Sequence, residues 1–224
     1  MGKVRFQVSR AGRVRCAFVI QPSSLYCQSS LTGRSLASVG NIVRMIRGSH
    51  FVTEAAQYSA IERLRDGRRL EVRALVPADR DGILEAFNRA SPQSVRRRFF
   101  AAKRELSEKE IEFFSKVDFV NHVALAAVVE EEGQPVIVGG ARYVLTKPGQ
   151  AEIAFAVVDQ YQGKGIGAIL MRHLATIARE AGLKELVAEV LPENAPMLTV
   201  FKKSGLRVHT GREARVVRVT LWLS

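Results

Sequence analysis

The chain has 224 residues, enough for one ordinary domain plus an extension. Its 34 Lys and Arg outnumber 22 Asp and Glu to give +12, but residues 1–53 carry eight of those cations and no acid, leaving only +4 for the rest. That mildly basic body argues against a nucleic-acid binder, no apolar run approaches the ~20 residues of a membrane helix, and two early cysteines, Cys16 and Cys27, argue against both a disulfide framework and a core thiol nucleophile.

Residues 1–58 read as a basic, acid-poor N-terminal extension, expected to be poorly ordered. An organelle-targeting segment, a flexible basic arm and an over-extended start with Met45 as the initiator all fit this composition. The domain proper is placed at 59–224, in a reducing, cytoplasmic setting. His50, His122, His173 and His209 show no metal-ligand spacing, so no metal is expected.

Ser59-Ala-Ile-Glu62 has the form of a capping box and predicts a short helix, Ala60 to Arg65, stopped at Gly67. Arg69 to Val76 alternates like a strand, and Pro77 ends it. A helix carrying Ile83, Leu84 and Phe87 follows, and Ser91-Pro92 breaks it and starts another. Ser107-x-x-Glu110 caps a third, with Ile111, Phe114 and Val117 on one side. Three strands come next: His122 to Val129, Pro135 to Leu145 and Gln150 to Val158. A long helix, Gly163 to Ala181, is closed by Gly182. Leu183 to Leu191 is a strand, Asn194 to Lys203 a helix, and Leu206 to Leu223 a hairpin turning at Gly211-Arg212.

The stretch Gln162-Gly-Lys-Gly-Ile-Gly167 between strand and long helix is the strongest functional signal. Alternating glycines let the backbone approach a ligand, and a helix N-terminus supplies free N–H groups and partial positive charge. A Walker loop would need Lys-Ser or Lys-Thr after its last glycine, and a dinucleotide fingerprint would read G-x-G-x-x-G; neither is present. The form Gln162-x-x-Gly165-x-Gly167 resembles the acyl-CoA pyrophosphate motif of the GNAT superfamily of N-acetyltransferases. The helix and strand order over 69–224 resembles that fold as well. Ser91-Pro-Gln-Ser94, Arg98-Phe-Phe100, Glu105-Leu-Ser107 and Ala151 to Val157 are similar to the acetyltransferase domain of bacterial protein-lysine acetyltransferases.

The resemblance implies an α/β fold with a splayed, mostly antiparallel mixed sheet flanked by helices, and acetyl-CoA as co-substrate. Backbone N–H groups of Gly163, Lys164, Gly165, Ile166, Gly167 and Ala168 would meet the pyrophosphate, with Lys164 adding a charge. The backbone of Phe155, Ala156 and Val157 would pair with the pantetheine arm, and Asn194 would bond it where the sheet opens. Asn194 reads equally well as an N-cap.

Acetyl transfer to an amine requires deprotonation, which costs an ammonium of pKa ~10.4 roughly 4–5 kcal/mol at pH 7. Glu152 is the candidate general base, the only acid in an apolar run, and the equivalent glutamate has that role in the protein-lysine subgroup. A strand-end partner for an arginine such as Arg142 is the alternative. Glu189 is the second candidate, against a salt bridge across the sheet. The family's usual general-acid tyrosine is replaced by Phe201, leaving Tyr143 or Tyr161 as substitutes. Arg96-Arg-Arg98 lies beside the acceptor channel, either as a solvated face or as a contact for an acidic acceptor or the cofactor's 3′-phosphate, which Arg172 and Lys203 could also reach.

The expected activity is therefore N-acetyl transfer to a primary amine, either a small molecule or a protein lysine, with no membrane or nucleic-acid partner. A non-catalytic acetyl-CoA sensor is the rival reading, and a nucleic-acid-binding arm a second.

Overall fold

The computed structural model describes residues 54–223; the bulk of the expected N-terminal extension lies outside that range. Among the described residues, eight strands form one sheet in the order β1-β2-β3-β4-β5-β6-β8-β7. The strands are β1 (Ser59–Arg63), β2 (Arg69–Ala74), β3 (His122–Glu131), β4 (Gln134–Lys147), β5 (Gln150–Val157), β6 (Glu185–Val190), β7 (Arg207–Glu213) and β8 (Val216–Trp222). Flanking them are the helices α1 (Arg80–Asn88), α2 (Pro92–Phe99), α3 (Glu108–Ser115), α4 (Ile166–Glu180) and α5 (Ala195–Lys202). All strand pairs are antiparallel except β5 with β6. None of the described helices is long and apolar enough to cross a membrane.

Period-two patterning assigns each face of the sheet. Leu70 and Val72 of β2, Val123 and Leu125 of β3, Tyr143 of β4 and Ile153 of β5 point into the main core. That core is closed by the apolar stripe of α4, including Ile166, Leu170, Leu174 and Ile177. The opposite face receives α1, α2 and α3, which form a smaller core of Leu106, Ile111 and Phe114 with Phe87 and Phe99 packed against it. The helix caps follow the sequence signals. Ser91 Oγ accepts the Ser94 N–H, and Ser107 and Glu110 cap α3 reciprocally.

Three expectations are corrected. Ser59 to Glu62 is not a helix start but lies in strand β1, in register with β2 from Ser59 opposite Arg73 to Arg63 opposite Arg69. Ser59 Oγ donates to Glu71 Oε1 across that pair at 3.1 Å, and Glu62 faces Arg172 and His173, so both capping residues have other partners. The closing hairpin turns at Ala214 and Arg215, not at Gly211-Arg212. Gly211 is inside β7 opposite Arg218, and Ala214 takes the left-handed turn conformation with φ 52°. The long helix also starts later than the glycine pattern suggested, at Ile166.

The topology creates one irregularity of consequence. β5 pairs with β6 only at Gln150–Glu185, Ala151–Leu186 and Glu152–Val187. Beyond Glu152 the strands part, and the side of β5 that faces β6 has no strand partner.

Candidate active site

A cleft of about 590 Å³ occupies this opening. Phe155, Ala156 and Val157 line it from the unpaired stretch of β5, and Gln162, Gly163, Gly165, Ile166, Gly167 and Ala168 line it from the loop and the start of α4. Glu152, Glu189 and Asn194 line the same cleft. Among the loop residues Lys164 is turned elsewhere: its Nζ bonds Asp66 at 3.2 Å.

The loop needs its glycines for different reasons. Gly163 and Gly165 hold φ of 75° and 97°, a region costly for any residue with a β-carbon. Gly167 lies in the first turn of α4, where an added β-carbon would stand 3.4 Å from Val200. The Gly165 carbonyl accepts N–H groups from Ala168 and Ile169 at 3.1 and 3.0 Å. The donors of Ile166 and Gly167 have no carbonyl one turn back within the helix, so they suit an anion. Arg65 adds a positive charge close by, its Nη1 bonding the Gly163 carbonyl at 3.4 Å.

A clamp fixes this loop to α2. Asp159 accepts the N–H and hydroxyl of Ser91, each at 2.7 Å, and the Ser94 hydroxyl at 2.9 Å. Gln162 then donates from Nε2 to Ser94 Oγ at 3.0 Å and to the Val157 carbonyl at 3.1 Å. Burial works against its ionisation, but these hydrogen bonds hold the Asp159 carboxyl below the ordinary range. Gln162 therefore orders the loop. Nothing local announces the clamp, because its partners are 65 to 68 residues apart.

The other end of the cleft is built from side chains. Glu152 and Arg142 project from the face of the sheet covered by α1, α2 and α3, where β5 and β4 place them diagonally: Glu152 opposite Val144, Arg142 opposite Ala154. Burial and the nearby Glu189 carboxylate push Glu152 up to about 6, while Arg98 and Arg218 act in the opposite direction. Among the described residues no ion pair holds Glu152, and Arg142 is not its partner. Arg142 instead approaches His122 Nε2 at 3.1 Å, donates to the Phe114 carbonyl at 3.4 Å and stacks over the Phe114 ring at 4.6 Å. Burial lowers Arg142 to about 9 and Arg98 to about 10, and Arg98 pushes Arg142 further down. His122 falls to about 4 through burial and the adjacent Arg142 charge. Glu189 stands across from Arg218 of β8, which fits the cross-sheet pairing considered for it.

The remaining candidates separate clearly. Asn194 caps α5, its Oδ1 accepting the Met197 N–H at 3.3 Å, while it also lines the cleft. Phe201 is buried against Phe155, ring centroids 5.9 Å apart. Tyr143 is on the α4 face, fully buried, with its hydroxyl lacking a partner and its pKa driven up by burial. Tyr161 donates to Glu131 and receives Arg68 at 3.3 Å. Neither tyrosine is placed to protonate a leaving group beside Glu152. Arg172 is bound to Glu62 at 2.6 Å, whereas Lys203 lines the cleft. Sequence reasoning named Arg142 only as a possible partner for Glu152; its place in the cleft depends on α3, which local pattern cannot position.

A family model described as the acetyltransferase (GNAT) family matches residues 83–206. The Pseudomonas aeruginosa acetyltransferase PA5475 is 33% identical over 149 residues, covering 66% of this chain and 80% of that protein. The acetyltransferase Pat of Mycolicibacterium smegmatis is 29% identical over 144 residues, 63% of this chain but only 42% of that longer protein. The crystal structure of the GNAT domain of S. lividans PAT is similar with a TM-score of 0.67 and 34% identity, over 73% of this chain and 96% of that one.

Proposed function

The chain belongs to the acetyltransferase (GNAT) family, and on that premise we propose that it transfers an acetyl group from acetyl-CoA to a primary amine by direct attack, with Glu152 as general base. The observation that carries this reading is the position of Glu152. It is a half-buried carboxylate raised to about 6, at the point where β5 and β6 part, in the cleft that also contains the glycine loop.

The residues fit the co-substrate. Free N–H groups at the start of α4, with Arg65 nearby, suit the pyrophosphate. The unpaired side of β5 at Phe155 to Val157 suits the amide-bearing pantetheine arm, and Asn194 flanks the opening. The thioester then lies toward Glu152. An acceptor enters as its ammonium ion and loses one proton to Glu152, directly or through water. Raising the carboxyl from an ordinary value to about 6 brings it closer to the ammonium and keeps it mostly ionised above pH 7. The neutral nitrogen forms the new C–N bond as the C–S bond breaks, and the further proton it sheds on becoming an amide passes to the departing sulfur or to water. The departing thiolate, of ordinary pKa ~8.5, needs no full protonation within the site, which makes Phe201 tolerable. The class of acceptor includes both protein lysines and small amines.

The replacement of the usual tyrosine by Phe201 favours a second reading, a non-catalytic acetyl-CoA sensor. Free-thiol release over an amine panel, run beside acetyl-CoA titration, separates the two. The transferase reading expects turnover in the wild type and, in Glu152→Gln, retained binding with turnover lost. Tight binding without transfer to any amine would give the sensor reading the field.

A further inference from the structure

Resting on the acetyl-transfer reading above, we propose that the acceptor is a small amine bearing a carboxylate or comparable oxyanion, with the amine at Glu152 and the anion held by Arg142 and Arg98. The acceptor end of the cleft concentrates buried charge. The Arg142 and Arg98 guanidinium groups are buried at the same end of the cleft as the Glu152 and Glu189 carboxylates, and Arg98 rather than a carboxylate is the charge that acts on Arg142. Burying a cation is costly unless it is matched.

Arg142 is not matched by charge among the described residues. Its hydrogen bonds go to the Phe114 carbonyl and to His122, which is neutral at physiological pH. The faces of Phe114 and Phe113 lie against its guanidinium, at 4.6 and 5.7 Å. Such packing holds a guanidinium in a fixed orientation without neutralising it. That arrangement suits a planar fork prepared to receive an oxyanion in two parallel hydrogen bonds. Arg98 reinforces the field: it interacts with Glu152 and faces the Phe99 and Phe114 rings. In the same cleft, Arg97 has a buried Nε–H without an acceptor.

The phosphates of acetyl-CoA do not account for these cations. Arg142 is registered with Ala154, three residues before β5 ends at Val157, and the glycine loop starts later still. At ~3.3 Å per residue this strand alone separates Arg142 from the anion loop by about 10 Å. Glu152 is a diagonal neighbour of Arg142 on the same face, with α-carbons ~7–8 Å apart. An amine and a carboxylate within one small molecule match that separation. A lysine side chain presents an amine at the end of an apolar stem and brings no anion of its own to this depth.

The test uses three matched acceptors: an amino acid, its carboxamide and the corresponding decarboxylated amine. Acetylation by free-thiol release and binding by calorimetry are measured for the wild type, Arg142→Gln and Arg142→Lys. Circular dichroism and acetyl-CoA titration establish that each variant is folded. The wild type is expected to favour the amino acid over its carboxamide roughly ten- to a hundredfold in kcat/KM. Arg142→Gln should bring that ratio close to one, and Arg142→Lys should leave an intermediate ratio. Equal use of the three acceptors, preference for an uncharged lysine peptide, or an unchanged ratio in Arg142→Gln would overturn the proposal. If nothing is acetylated but the amino acid binds the wild type and not Arg142→Gln, the anion site stands and the transferase reading fails. If transfer occurs without regard to the carboxylate, the reverse holds.

Discussion

The two ends of the cleft are built by different means. At the loop end the binding groups belong to the backbone: glycines at φ of 75° and 97°, first-turn N–H groups of α4 and an unpaired strand side. At the Glu152 end they are side chains from four elements: Arg98 from α2, Arg142 from β4, Glu152 from β5 and Glu189 from β6. Backbone sites are local, stiff and insensitive to most substitutions. Side-chain sites depend on burial and mutual charge, so single atoms control them. The loop end therefore suits an invariable co-substrate, and the Glu152 end a chosen acceptor.

The largest test of this division is Glu152→Gln. Removing the base is expected to lower kcat ~100-fold or more, while acetyl-CoA affinity by calorimetry changes less than about twofold, since the loop end is untouched. A comparable loss of affinity would break the division. Next comes pH. Below about 6 Glu152 is protonated, so kcat/KM should fall about tenfold per pH unit there, and residual activity of Glu152→Gln should lack that limb. A profile flat to pH 5 would remove Glu152 as the base.

Gly165→Ala strikes the opposite end. An alanine at φ 97° is strained by ~1–2 kcal/mol, enough to weaken acetyl-CoA binding about tenfold if the loop moves to relieve it. Turnover at saturating acetyl-CoA should remain within about twofold. The smallest effect concerns stability. Because folding raises the Glu152 pKa, the folded state favours its protonated form, and stability declines as pH rises from the ordinary carboxyl value to about 6. Glu152→Gln should therefore be more stable at pH 7.5, by about 1 kcal/mol after allowing for solvent screening of a half-exposed group. Thermal melts at pH 7.5 and pH 4.5 check the sign, with the gain absent at the lower pH.

The same division governs what could be read from sequence. The glycine loop, the strand before it and the helix after it are contiguous, and their periodicity and dihedral demands are written in neighbouring residues. Glu152 was visible as an acid in an apolar run. Its distance from any ion-pair partner was not, because that depends on Arg142 turning toward Phe114 and His122. Strand β1 is hidden from local pattern because Ser59 and Glu62 satisfy a capping motif, while their actual partners, Glu71, Arg172 and His173, come from β2 and α4. The hairpin turn was misplaced for a related reason. Pairing with β8 keeps Gly211 inside a strand and places the reversal on Ala214, whose φ of 52° no composition rule would favour.

The parting of β5 from β6 after Glu152 has a further consequence. An unpaired strand side is ordinarily a hazard, since it offers another chain a template for edge-to-edge association. Here that side lies inside the sheet, sheltered by β6 and by the glycine loop, and reachable by a slender ligand more readily than by a polypeptide strand. The fold thus retains the adhesive capacity of a sheet edge while removing it from the surface, where it would promote aggregation.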